Sequence, residues 1–520
     1  MRLVDSGYDD HSLTPVLELP VVGTLRPGAT PKAYSSRDVL SLLYIYFVVG
    51  FLFEALPALT QPVFATYFGL SHPDVGLVGG VLFVMATSKV LIGVLSDCFP
   101  LFGYRRKTWI VFAAVGLTAF FVTLASLPHD PPYTPHLIPQ VSKDEGHRAV
   151  LLCACAAFFL VLANVPADAL MVEMAQREAS VVRGRLLSLV YAVRYMGTTM
   201  AQLVAEASLA STAFGGDYSF ALGLPAYFGI LACLSAIVVP VVLVWFTHEP
   251  RRGSVNCPEY LGEFWSVVQT RAMWQILLFA FLFNACGVLT ATMDHPTVLT
   301  WAHVTPTMRK WANIAGGLGM PLGFLVAGWR GTEWNWRVAV VASTVAFASL
   351  KALAGVATAC HVIDSPTLFL VLDEGARVPL AIAFIVTTYN YIEGTPPGKE
   401  GITYGMLSSL HNVSYGTLPL VGMAIIDRLL PPKSADRTDD DDTTEMRRAV
   451  ATIYLLGLAW ALVSCVCVFL LPQHKHHVKF LKGYGGQQPI AAMLTLLLCV
   501  GSIVAAITLT VLALLPSSVL

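Results

Sequence analysis

The stretch Lys89-Val-Leu-Ile-Gly93-Val-Leu-Ser-Asp97-Cys-Phe-Pro100-Leu-Phe-Gly103-Tyr104-Arg105-Arg106-Lys107 carries an apolar run into a turn crowded with charge. Lys89, Gly93 and Asp97 are spaced i, i+4, i+8 and so share one stripe of a helix. Apolar runs over 75–96 and 108–127 flank the turn, and about 20 apolar residues span a hydrocarbon core of about 30 Å. The segment therefore reads as two membrane helices joined by a short basic loop. In such a join Gly93 and Gly103 permit close approach, Asp97 faces a helix amino terminus or a basic loop residue, and Arg105, Arg106 and Lys107 hold one membrane face. This arrangement is a latch rather than a ligand site.

The rest of the chain repeats the pattern. Of 520 residues, 56% are hydrophobic and 12% charged, against about 25% charged in ordinary soluble domains, which excludes a water-soluble globular protein. Further apolar runs fall at 40–68, 149–174, 184–208 and 222–247, then at 272–292, 311–329, 338–357, 366–391, 402–426 and 449–471. With the two above they make twelve, and Pro489 to Leu515 adds a thirteenth. The 32 basic and 33 acidic residues nearly cancel, so no field draws the protein to nucleic acid. The ten cysteines mostly sit in apolar runs without metal-ligand spacing and read as small core residues.

Placing the amino terminus in the cytosol puts 19 of the 32 basic residues in inner segments and nine in outer ones, as the positive-inside rule requires. Arg183-Gly184 leads into Tyr191 and Arg194 much as Glu400-Gly401 leads into Tyr404 and His411, at the fifth and eleventh helices. A parallel six-plus-six repeat is the expected signature of a major facilitator architecture, with a mid-membrane cavity between the halves. The expected organisation is a solvated cytosolic tail (1–37), a six-helix bundle (38–247), a central linker (248–271), a second bundle (272–471), and a basic segment with the extra helix (472–520).

Charges inside the membrane are the informative residues, because each costs at least about 2.5–3.5 kcal/mol without a partner or a wet cavity. They are Glu54, Lys89, Asp168, Glu173, Arg194, Asp373, Glu374 and Arg377. Lys89 and Arg194 suit an anionic or hydrogen-bonding ligand, Arg194 best because its guanidinium engages planar acceptors as a fork; the competing reading is an ion pair with Asp168 or Glu173. Tyr191 and Tyr195 flank Arg194 and suit ring stacking. Asp168 and Glu173 are candidates for proton coupling, with Glu173 alternatively gating against Arg183 or Arg185. Asp373 and Arg377, four apart, are expected to neutralise each other. Glu54 is expected opposite Lys89, and His411 is a weaker cavity candidate. The His474–His477 cluster, with Lys475, Lys479 and Lys482, reads as a basic interfacial anchor.

Lys89 to Asp97 with Pro100-Leu-Phe-Gly-Tyr-Arg-Arg resembles the folate-biopterin transporter family. Ala167-Asp168-Ala-Leu-Met-Val172-Glu173, Arg183-Gly184-Arg185 to Arg194, and Lys399-Glu400-Gly401 to Asn412 are similar to further motifs of that family. Asn164, Val90 and Ala86 depart from its common pattern. The resemblance implies a transporter of folate, biopterin or a related solute, working by alternating access; the plasma membrane is the default location and an organellar membrane the alternative, and protons are the candidate coupling partners offered by Asp168 and Glu173. No cofactor, metal or catalytic constellation is expected. The alternatives are a transporter of another heteroaromatic or zwitterionic metabolite such as S-adenosylmethionine, and a nutrient receptor that does not transport.

Overall fold

The computed structural model describes residues 24–26, 30–127, 139–216, 218, 222–246, 253, 255–287, 293, 296–416 and 442–514. Among them the chain is helical, and no β-sheet forms. The first group comprises α1 (Arg37–Ala55, continued by irregular turns to Tyr67), α2 (His72–Thr87), α3 (Lys89–Cys98), α4 (Lys107–Ser126), α5 (Pro139–Ala175), α6 (Arg185–Leu209) and α7 (Leu224–Pro240). A linker helix, α8 (Cys257–Val268), precedes α9 (Arg271–Gly287), α10 (Pro296–Trp301), α11 (Pro306–Gly317), α12 (Gly319–Arg330) and α13 (Trp336–Ala359). The chain then forms α14 (Pro366–Gly375), α15 (Arg377–Gly394), α16 (Glu400–Gly416), α17 (Thr444–Val466), α18 (Lys475–Tyr484) and α19 (Pro489–Leu514).

Each of the thirteen apolar runs carries a helix. Among the described residues, eight spans are long and apolar enough to cross a bilayer, and α2 with α3, bent by 54°, makes a ninth. The other runs fall short for visible reasons. α6 carries Arg194, Gln202 and Glu206, α14 breaks from α15 at Ala376, and α9 and the described part of α16 are 17 residues each. Residues 417–426 of the eleventh run lie outside the described residues, as do most of the tail and the loop up to 441. Leu322, Val338, Phe469, Leu494 and Leu497 are exposed, as lipid-facing side chains are when no lipid surrounds them.

Helix starts follow local chemistry. Thr305, Asn335 and Thr443 cap α11, α13 and α17 by accepting from free backbone N–H groups, and Pro225, Pro258 and Pro366 stand in first turns that need no proline N–H. α1 packs on α6, and α4 on α5 and α7; later in the chain α13 packs on α15 and α17, and α12 on α15. Contacts of α3 with α16 and of α6 with α12 join the two groups. A Cβ on Gly93 would lie 2.3 Å from the Gly401 carbonyl oxygen, so only glycine allows α3 and α16 to touch there.

One expectation needs correction. The tail is not wholly solvated: Leu25 N donates to Gln176 O (3.0 Å), Arg26 Nε to Gln176 Oε1 (3.1 Å), and Tyr34 Oη to Glu178 Oε1 (2.8 Å). Buried carboxylates at that end of the bundle draw it in. Asn412 is a structural residue, donating to Ala86 O (2.7 Å) where α2 breaks from α3.

Candidate functional site

Lys89 is the first residue of α3, immediately after the break at Ser88. The break leaves backbone groups open, and α16 serves them: besides Asn412, Ser409 Oγ accepts from Val90 N (3.4 Å). This fixes the Lys89 side chain toward α5, where its Nζ lies 3.1 Å from Asp168 Oδ2. Tyr46 Oη donates to the other carboxylate oxygen, Oδ1, at 2.6 Å. All three side chains are buried, so Asp168 is matched by one cation and one hydroxyl donor, as a buried carboxylate requires.

Arg194 lies on the adjacent face of α6. Among the described residues it forms no ion pair or side-chain hydrogen bond; its guanidinium carbon sits 5.1 Å from the Phe53 ring centre and 6.0 Å from that of Tyr191. Tyr191 Oη meets Tyr404 Oη of α16 at 2.6 Å, and Phe324 and Phe384 pack on Tyr191 (5.9 and 5.1 Å). Tyr195 packs on Phe324 at 5.3 Å. The result is a cation within an aromatic enclosure built by α1, α6, α12, α15 and α16. His411 edges onto Phe384 (5.1 Å), and its Nδ1 lies 3.0 Å from Asn284 Oδ1. Glu54 is not paired with Lys89; it accepts from Gln202 Nε2 at 2.9 Å.

Arg194, Thr198, Gln202 and Glu206 recur every four residues and form a polar stripe along α6. The stripe climbs about 18 Å at 1.5 Å per residue and ends in a cavity of about 420 Å³, lined among others by Gln61, Gln202, Glu206, Lys310 and Asn313. Lys310 of α11 faces Glu206 across it at 3.3 Å.

The opposite end is sealed by charge. Asp97 accepts from Arg105 (3.0 Å), Arg106 (2.6 Å), the Tyr260 hydroxyl (2.5 Å) and Ile402 N (3.1 Å). Arg106 also reaches Glu173 (3.2 Å) and Glu400 (3.4 Å), and Arg26 pairs with Glu400. Arg183 pairs with Glu393 at 2.8 Å. Lys107 secures α4 to the end of α7 by donating to Leu243 O and Phe246 O (both 3.0 Å), and Gly103, at φ 84°, makes the turn. Glu173 is thus held by Arg106 rather than by Arg183 or Arg185, because Arg183 turns across to α15. Gly184, at φ 109°, starts α6 with its Cα against the Tyr389 ring. Burial raises the Glu178 carboxyl above its ordinary range, opposed by N–H donors from Gly184 and Leu186.

A second charged cluster corrects the Asp373–Arg377 expectation. Asp373 accepts from Arg309 and Lys351 (both 2.6 Å), whereas Arg377 pairs with Glu374 (2.5 Å) and donates to Asn313 (3.0 Å). The break between α14 and α15 at Ala376 removes the helical register that would have joined Asp373 to Arg377. Tyr46, Tyr260, Asn284, Tyr404 and Glu393 were not singled out from the sequence as site residues. Their partners lie on distant helices, and no local spacing marks them.

Residues 54–306 match the BT1 family. A folate-biopterin transporter of Synechocystis sp. (strain ATCC 27184 / PCC 6803 / Kazusa) is 30% identical over 190 residues, which is 36% of this chain and 35% of that protein. The alignment spans about a third of that relative's length. Among solved structures, the human organic anion transporter MFSD10 (TETRAN) aligns with a TM-score of 0.54 at 15% identity, covering 82% of this chain and 99% of that one. That likeness shows the fold, the major facilitator fold, and the apolar spans make this a multi-pass, all-α integral membrane protein. The Lys399–Asn412 motif lies beyond the matched stretch, whereas those of Lys89–Arg106, Ala167–Glu173 and Arg183–Arg194 lie within it. The resemblance read from those motifs is thereby borne out over residues 54–306, which are similar to the BT1 family, and over the stretch that matches a folate-biopterin transporter.

Proposed function

We propose that this protein is a secondary transporter that moves an anionic, hydrogen-bonding aromatic solute of the pterin or folate kind by alternating access. The observation that carries the reading is Arg194, a guanidinium inside the bundle that forms no ion pair with a described carboxylate, set between aromatic rings and joined to a cavity by a polar stripe. Such a group recognises a planar acceptor pair while the rings take the face of a heterocycle. Lys89 and Asp168 supply the coupling. Protonating Asp168 releases Lys89, adding a second cation beside Arg194, so proton and anion enter together. His411 and Tyr195 complete the walls. A cationic substrate such as S-adenosylmethionine fits less well, because Asp168 and Glu173 are already paired.

With the amino terminus in the cytosol of a cell bounded by this plasma membrane, the charged seal faces inward and the Glu206–Lys310 cavity outward. The six-helix bundles rock about Arg194, and the Asp97–Arg106 latch holds the inward-closed state. The test is uptake of radiolabelled folate, biopterin and S-adenosylmethionine into liposomes holding the purified protein, with and without an inward proton gradient. Saturable, gradient-dependent uptake of a pteridine, lost in Arg194→Ala, is expected. Pteridine binding without accumulation in a gradient points to a receptor, and no uptake of any of the three removes the pteridine assignment.

A further inference from the structure

The linker helix α8 is docked across the seal. On one side Tyr260 donates to Asp97 (2.5 Å) and Val255 N to Cys98 O (3.2 Å). On the other, Glu263 pairs with Lys399, whose amine also lies 5.3 Å from the Tyr260 ring centre. α8 thus ties α3 to the turn that opens α16, while the Asp97 carboxylate accepts from Ile402 N in the same turn (3.1 Å).

Two cysteines flank this junction. Cys98 ends α3 beside Asp97 and is fully buried; Cys257 begins α8 and is half-buried. Both cysteines are free. The Val255–Cys98 backbone bond (3.2 Å) holds the two segments side by side, with Cys257 two residues along from Val255.

We infer that Cys98 and Cys257 form a reversible oxidation site whose disulfide locks the seal, with hydrogen peroxide as the oxidant. The Cys257 sulfur, the more accessible of the two, attacks peroxide; the O–O bond breaks, one water leaves with the thiol proton, and Cys257 carries a sulfenic acid. The Cys98 sulfur then displaces that hydroxyl, the S–S bond forms, and a second water leaves with the Cys98 proton. Two thiols are oxidised and one peroxide is reduced to two waters. A dithiol reverses the step by exchange. The bond fixes α8 where it bridges α3 and the start of α16, so the seal no longer opens. Cys286 of α9 and Cys467, just past α17, are also free and half-buried, and both lie later in the chain; linking them would not tie α3 to α16.

The experiment uses the full chain, purified in detergent, treated with hydrogen peroxide and then with dithiothreitol. Mass spectrometry of peptides under non-reducing conditions is expected to show Cys98 linked to Cys257. Amide exchange over 398–404 is expected to slow about threefold or more on oxidation and recover on reduction. Cys257→Ser is expected to abolish both changes, and Cys286→Ser to leave both in place. Absence of the linked peptide when Cys257 is oxidised overturns the inference, as does a link that leaves exchange unchanged. Neither readout needs a transported solute, so failure of the transport reading is separable from failure of this one.

Discussion

Asp168 Oδ2 lies 3.1 Å from Lys89 Nζ, joining α5 to the first residue of α3 at the point where the second membrane span breaks. The pair is buried, and Tyr46 completes it. Arg194, by contrast, forms no ion pair among the described residues and lies against the Phe53 and Tyr191 rings. The centre of the bundle thus holds one neutralised cation and one that is not.

Breaking a buried pair by removing one partner costs about 3–5 kcal/mol, because a charge is left unmatched. Asp168→Asn is therefore expected to lower the thermal midpoint strongly. Lys89→Met with Asp168→Asn should recover most of that loss yet keep only weak uptake, which should no longer respond to a proton gradient. Thermal melts of the single and double variants, beside liposome uptake, check this; a double variant whose uptake still responds to the gradient would sink the coupling role.

Charge-assisted hydrogen bonds contribute about 1.5–3 kcal/mol each. Arg194→Lys keeps the charge but loses the fork, so we expect KM for an anionic solute to rise about tenfold or more, and Arg194→Ala to lose saturable uptake. Both variants should melt near the wild type, since Arg194 holds no ion pair among the described residues. Equal KM for wild type and Arg194→Ala would remove the residue from the site.

Without Arg26, the ion pairs of Asp97, Glu173 and Glu400 among the described residues are those with Arg105 and Arg106. Arg26→Gln is expected to loosen the sealed end by about 1–3 kcal/mol, as the loss of a partner from a buried carboxylate does. Faster amide exchange at 173–178 and 400–404 would show it; unchanged exchange would mean that the tail contact holds nothing closed.

Gly93→Val places atoms where the Gly401 carbonyl already sits 2.3 Å from a Cβ. We expect the variant to insert in the membrane but fail to seal, with lost uptake and increased exchange at Ile402. Uptake at the wild-type rate would show that α3 and α16 need not touch.

Lys475, on α18 outside the membrane spans, donates to Ser180 O at 2.8 Å. Burial pushes its amine down to about 8, Glu393 opposing and Arg183 adding to the shift. Because this value lies below the ordinary 10.5, the unfolded chain binds more protons than the folded one between about pH 8 and pH 10.5, and stability from this group rises with pH through that window. The stability is complete above the ordinary value and lost as pH falls through about 8. The midpoint of the wild type should rise relative to that of Lys475→Met from pH 7 to pH 9.5. Parallel profiles would contradict this placement.

The amino-acid sequence by itself determined the spans, since a bilayer fixes how long an apolar run must be and each run from 40–68 to Pro489–Leu515 holds a helix. It also determined the latch: Asp97 and Arg105 are eight residues apart, and the turn at Gly103 brings them together. The pairing of charges from different spans was decided only in three dimensions. Arg183 chose Glu393, Arg106 chose Glu173, and Asp373 chose Arg309 and Lys351 over Arg377. Periodicity tells which face of its own helix a residue occupies, but the neighbour it meets depends on crossing angles and on breaks such as Ser88 and Ala376. For the same reason Arg194 was visible as a charge in the membrane, while its lack of a carboxylate partner among the described residues became visible only once α1, α6 and α16 were packed around it.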